Sequence, residues 1–222
     1  MDPFLVLKYI VRVMIIFLIL PIHEYAHAWA AKKLGDDTAL YSGRLTLNPL
    51  AHIDILGAVC LFFTGFGWAK PVPVNPIRFK KPRKGMALTA LAGPASNLIV
   101  AFIAMIIYRF VLYSDISDKM GIQNASFVFF MISAFISINI GLAVFNLLPI
   151  PPLDGSKILS YFTSAKFDKF LFQYQQYLPI IFIVLIVSGI LSGPINWISS
   201  IIYDGMILLT NWIDLIMKAV NK

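Results

Sequence analysis

Long apolar stretches separated by short polar breaks dominate the chain. The first runs from Phe4 to Ile22 and continues at helical spacing through His23-Glu24-Tyr25-Ala26-His27 towards Leu34, where Gly35-Asp36-Asp37 ends it. Pro21 falls inside this run and is expected to kink it. Tyr41 to Leu47 alternates and carries β-formers, which predicts a strand. Ile53 to Phe66 is apolar, but at about 14 residues it is short of a spanning helix and is expected to be re-entrant or half-buried. Trp68 to Phe79 carries Pro71, Pro73 and Pro76, which predicts an edge strand or polyproline-like extended chain.

Met86 to Tyr108 and Ala125 to Leu148 contain no charge and predict two full spans, joined by a polar loop with Asp115, Asp118 and Lys119. The second uncharged run continues to Leu153 and stops at Asp154-Gly155. Ser156 to Asp168 reads as a loop or surface helix, and Phe170 to Leu191 as a third span. Trp197 to Met217 places Asp204, Asn211 and Asp214 on one helical face, so it either spans with a polar stripe or lies in the interface. The expected fold class is an all-α polytopic membrane protein of about 5–6 transmembrane helices. A small membrane-associated β region is expected between the first and second full spans. The chain reads as one membrane-embedded domain over 1–222, with a core over about 1–160 and C-terminal helices over about 170–217.

Composition agrees. The 222 residues are 59% hydrophobic and 13% charged, with a mean hydropathy of +0.81, which excludes an ordinary soluble domain. The net charge of +7 is concentrated in Arg78, Lys80, Lys81, Arg83 and Lys84. In so apolar a chain this cluster reads as an anchor facing anionic lipid rather than a nucleic-acid site. Cys60 is the only cysteine, so no internal disulfide forms. Ala28-Trp29-Ala30 resembles a signal-peptide cleavage site, but Lys8 and Arg12 interrupt the run before it.

The acid inventory narrows the chemistry. The chain has 11 acidic residues, and the sole glutamate is Glu24; two of its three histidines, His23 and His27, flank it. Imidazoles at i and i+4 share a helix face about 5–6 Å apart and can hold one zinc ion. A glutamate directly after the first histidine is placed to act as general base on a water. The bland alternative is a polar helix end snorkelling to water, but ionisable groups in an apolar helix are usually functional. A third ligand is missing from the motif: position 33 is Lys33, and no downstream glutamate exists. His52, Asp54 and Asp154 remain as the main candidates. Asp154 is favoured, because three prolines before it unwind the backbone and leave an isolated carboxylate there.

HEYAH in an apolar helix, followed by Asn146-x-x-Pro149-x-x-Pro152-Leu153-Asp154-Gly155, resembles the site-2 protease family of intramembrane zinc metalloproteases. The phrases GRLTLNPLAHID, GFGWAKPVPVNP and AGPASN are similar to its compact branch without a PDZ domain. The resemblance covers roughly Leu18 to Gly155. It implies one zinc held by His23, His27 and Asp154, Glu24 as catalytic base, and Asn146 as a substrate contact. It also implies a transmembrane protein or peptide as substrate.

For His23 and Asp154 to meet, the first span and Ala125–Leu148 must run in the same direction. The basic cluster then puts the site towards the cytoplasmic side of a prokaryotic cell membrane, although Lys8 and Arg12 oppose that charge rule. His52 is expected to be a hydrogen-bonded neighbour of the site, and Asn97 to bond across helices towards backbone near Asn146. A metal-binding transporter and an inactive, substrate-binding pseudoprotease are the rival readings. The first does not explain why glutamate follows the first histidine, and the intact ligand set argues against the second.

Overall fold

The computed structural model describes residues 3–113, 121–174 and 176–220, so the loop with Asp115, Asp118 and Lys119 lies outside the described residues. Helix α1 (Pro3–Met14) passes through one π-helical turn (Ile15–Ile19) into α2 (Leu20–Lys33). Pro21 sits in the first turn of α2. It has no N–H to give the preceding turn, and the wider π turn takes up its ring. The kink expected at Pro21 therefore appears as a π turn, and Leu5–Lys33 remains long and apolar enough to cross a membrane.

Short helices α3 (Thr38–Tyr41), α4 (Pro49–His52) and α5 (Ile55–Thr64) follow. The last two are started by side-chain caps: Asn48 accepts from Leu50 N, and Asp54 accepts from Gly57 N. The strand expected over Tyr41–Leu47 is not formed. Gly43, at φ +66°, turns the chain just after α3, and Arg44 N closes back onto Ala39 O at 2.8 Å. Among the described residues there is no strand, only an isolated antiparallel bridge between Ile53 and Ala69. The β region is thus replaced by a strap of extended chain over 68–75, whose prolines cannot support a ladder. Helix α5 is 10 residues long and does not span, as its length required.

Arg12 explains its own breach of the charge rule. It is buried in α1, and its Nη1 donates to Phe62 O at 2.5 Å and Phe63 O at 2.9 Å. A cation on the last carbonyls of α5 is matched to the negative end of that helix.

The long helices are α6 (Pro82–Tyr113), α7 (Ile122–Leu147) and α11 (Ser192–Val220), with α8 (Asp154–Phe162), α9 (Ala165–Gln173) and α10 (Leu178–Val187) between the last two. With the α1–α2 unit, four helices among the described residues are long and apolar enough to span, not five or six. The expected span Phe170–Leu191 fails because a turn divides it and a proline opens α10, where no preceding helix can continue. Ten residues of α10 cover only about 15 Å. In α11 two residues of the polar stripe face α6, where Arg109 pairs with Asp214 and its Nη2 donates to Asn211 Oδ1 at 3.0 Å, while Asp204 is exposed. Such pairing is how charges are carried inside apolar bundles. The core joins Ala101, Ala104 and Met105 of α6 to Ile136, Ile140 and Val144 of α7. Alanines on the α6 side let the two backbones approach closely.

Candidate metal centre

A cavity of about 630 Å³ opens between α2, α6, α7, α8 and the strap, and His23, Glu24, His27, Asn146 and Asp154 all line it. His27 lies near the C-terminal end of its span, and Asp154 lies just past the end of α7. Their contact therefore means that the two helices run in the same direction. His27 Nε2 is 3.0 Å from His23 Nε2 and 3.0 Å from Asp154 Oδ2, and His23 Nε2 is 3.3 Å from the same oxygen.

Hydrogen bonds behind the rings decide which nitrogen faces the cavity. The Phe135 carbonyl can only accept, so Asn139 offers it Nδ2 at 2.8 Å. Asn139 Oδ1 then accepts from Asn97 Nδ2 at 3.2 Å, which leaves Asn97 Oδ1 facing His23 Nδ1 at 2.9 Å. His23 must carry its proton on Nδ1. His27 Nδ1 faces the Thr89 carbonyl at 2.7 Å and must do the same. In the neutral rings both Nε2 atoms are then bare lone pairs, aimed at each other and at a carboxylate oxygen.

Three electron pairs so close together need positive charge between them. A metal ion would supply it. Donor separations of 3.0–3.3 Å match the edge of a zinc tetrahedron with bonds of about 2.0–2.1 Å, which is about 3.4 Å. The residues present fit zinc.

Asp154 is held for this role from several sides. Burial opposes its ionisation, and the ammonium of Lys157 favours it. Lys157 Nζ holds the second oxygen, Oδ1, at 3.1 Å. Gly155 is required beside it: a Cβ there would lie 2.2 Å from Leu147 O and 2.4 Å from Leu148 O. The start of α8 thus packs backbone to backbone against the end of α7.

The strap is anchored below and reaches the site above. Lys70 N donates to His52 O at 2.9 Å, the Arg44 guanidinium donates to Lys70 O, and Asn75 N donates to Asp36 Oδ2 at 2.6 Å. Between these anchors Val72 N donates to Glu24 Oε2 at 3.0 Å. The buried Asp36 carboxyl also accepts from Thr38 N at 3.0 Å and from the Thr38 hydroxyl. Burial pushes its pKa up, but the hydrogen bonds of Thr38 and Asn75 and the charge of Arg78 more than reverse this, so it lies below the ordinary value. A depressed native pKa stabilises the fold above the unfolded value of about 3.9, and that stability is lost as pH falls through the native pKa. Asp36→Asn is expected to lower stability at pH 7 by about 1–3 kcal/mol, a gap that narrows in acid. Thermal unfolding of both proteins across pH 3–7 checks it; a gap independent of pH contradicts it.

His52 is buried under the strap rather than among the convergent donors, with Nε2 bonded to Thr46 O at 2.7 Å. Asn97 does bond across helices, to His23 and Asn139, and not to backbone near Asn146. Sequence reasoning passed over Asn139, Thr89, Lys157, Asp36 and Arg44. Two of these carry a signal in spacing: Asn139 lies two turns before Asn146 on α7, and Lys157 lies i+3 from Asp154.

Two imidazoles and a carboxylate converging beside a lone glutamate, among helices of spanning length, define a membrane metallopeptidase that uses zinc. Residues 114–189 match the family model described as Peptidase family M50. YwhC of Bacillus subtilis (strain 168), which carries the name of a zinc metalloprotease, is 41% identical over 195 residues, covering 88% of this chain and 87% of its own. Rip2 of Mycolicibacterium smegmatis, named likewise, is 28% identical over 187 residues, covering 82% and 67%. MJ0611 of Methanocaldococcus jannaschii is 29% identical over 142 residues, covering 63% of each chain. No solved structure gives a significant match. The chain belongs to peptidase family M50, the site-2 proteases.

Proposed function

We propose that the protein is an intramembrane endopeptidase hydrolysing peptide bonds in or near transmembrane segments of membrane-protein substrates. The observation that carries this reading is the convergence of His23, His27 and Asp154 beside Glu24, in a cavity walled by spanning helices. His23 Nε2, His27 Nε2 and Asp154 Oδ2 are the zinc ligands. Zinc held there supplies Lewis acidity that brings a water close to ionisation at neutral pH. Glu24 takes the proton of the attacking water and returns it to the leaving amine, while the Val72 N–H orients its carboxylate. Asn146, on the cavity wall, contacts the scissile carbonyl.

A helical peptide bond is shielded, so the substrate must be extended before it is cut. The strap lies along the cavity, and Pro71 and Pro73 leave it carbonyl acceptors without competing donors at those positions. An extended substrate segment donates to them. The basic cluster from Arg78 to Lys84, at the start of α6, favours a cytoplasmic-side centre in the cell membrane. The whole chain acts as one membrane domain.

The test is cleavage by the purified protein of a peptide carrying a transmembrane segment and its flanks. Cleavage that stops on zinc chelation and returns with zinc is expected. Failure on that peptide, together with hydrolysis of a soluble peptide containing only the flank, would contradict the reading.

The chain of amides behind His23 gives a second expectation. Asn139→Leu frees the Asn97 amide to rotate and removes the constraint on the His23 tautomer. Zinc affinity should fall about 10- to 100-fold with the fold retained. Competition with a chelating dye checks this, and an unchanged affinity rules the constraint out.

A further inference from the structure

A second cavity, of about 420 Å³, opens where the end of α2 meets the start of α6. Lys33, Lys80, Lys81 and Lys84 line it, and no carboxylate does. Its floor is the apolar ring of Phe79, with Leu34 and Leu88 adding apolar surface to the lining. The floor is also firmly built: Phe79 is buried, and a Cβ on Gly85 would come within 2.3 Å of its ring. Four lysines line one hollow, and their like charges favour an anion there.

The surroundings say what kind of anion. One candidate span ends at Lys33 and another begins at Pro82, so the cavity sits at the depth where a bilayer turns polar. From it, Leu88 and Leu91 carry exposed apolar surface along α6. On α2, Trp29 is about half exposed, with Lys33 Nζ 5.7 Å from its ring centroid. Tryptophan at such a level is an interfacial residue. A free phosphate or nucleotide would use the lysines and leave this apolar track uncovered. A lipid uses both, and basic pockets between membrane helices are suited to anionic head groups.

We propose that this cavity is a binding site for an anionic phospholipid, with its phosphate among the four lysines and an acyl chain along Trp29, Leu88 and Leu91. The same two helices carry His23 and His27 on one side and the Thr89 and Asn97 partners of those rings on the other, so a bound lipid bridges the helices that frame the metal centre.

The experiment titrates the full chain, in neutral detergent, with short-chain phosphatidylglycerol, with phosphatidylcholine of the same chain length, and with inorganic phosphate. Wild type should bind phosphatidylglycerol at least about tenfold more tightly than phosphatidylcholine. The double variant Lys80→Gln/Lys84→Gln should lose that preference. Lys166→Gln/Lys169→Gln removes the same charge elsewhere and should keep it. The proposal falls if wild type shows no preference, if the pocket variant keeps it, or if both variants lose it equally, which would mean net-charge attraction alone. Displacement of phosphatidylglycerol by an equal concentration of inorganic phosphate would make this a free-anion site and overturn the lipid assignment.

Discussion

Glutamine at position 24 should leave zinc bound and lower peptide hydrolysis by about 10²- to 10⁴-fold. Glu24 is not among the three convergent donors, so its replacement leaves that donor set untouched. Glutamine has the same shape, and its amide oxygen can still accept from Val72 N, so the strap keeps its contact. What it lacks is the capacity to take a proton and return it. Activity and zinc content measured on one preparation separate this from a structural role. Lost activity with full zinc content supports the base; full activity places the base elsewhere; loss of both would mean that Glu24 holds the metal site together.

Alanine at position 93 should cost the protein its zinc. Gly93 lies in α6 against both imidazoles, and a Cβ there would come within 2.4 Å of His27 Nε2 and 2.7 Å of His23 Cε1. Helix propensity alone argues the opposite, since alanine is favoured over glycine by about 1 kcal/mol in a helix interior. The site overrides it because neither side can withdraw. The rings are tied behind to Thr89 O and Asn97, and α6 is packed into the core through Ala101 and Met105. At least about a hundredfold loss of zinc affinity is expected, with the helix content of wild type. Chelator competition measures the first and circular dichroism the second. Wild-type affinity in Gly93→Ala would show that the rings have room to move.

How much of this was legible beforehand depends on the range of the interaction. HEYAH declares itself because a helix brings i and i+4 together with no help from tertiary structure. That Asp154 would meet the two histidines was legible because prolines before an isolated carboxylate mark unwound backbone. The two uncharged spans were legible from length alone. The misreadings arose where a local pattern met a remote constraint. YSGRLTL alternates like a strand, yet Gly43 turns the chain and Arg44 is drawn to Lys70 O, 26 residues away. Phe170–Leu191 is apolar throughout its centre, yet a turn divides it and a proline opens the helix that follows, which apolar length does not register. The polar relay through Asn97 and Asn139 joins residues 42 apart on different helices, and nothing in either sequence neighbourhood announces the pairing. Arg12 looked like a topological anomaly because its partners, two carbonyls of α5, lie 50 and 51 residues on.

The central claim is that His23, His27 and Asp154 hold one zinc ion. Its most direct test is the zinc content per chain of purified wild type beside Asp154→Ala, by elemental mass spectrometry. About one zinc per wild-type chain, sharply reduced in the variant, is the predicted result. A wild type without zinc, or an Asp154→Ala protein that retains it fully, would contradict the account.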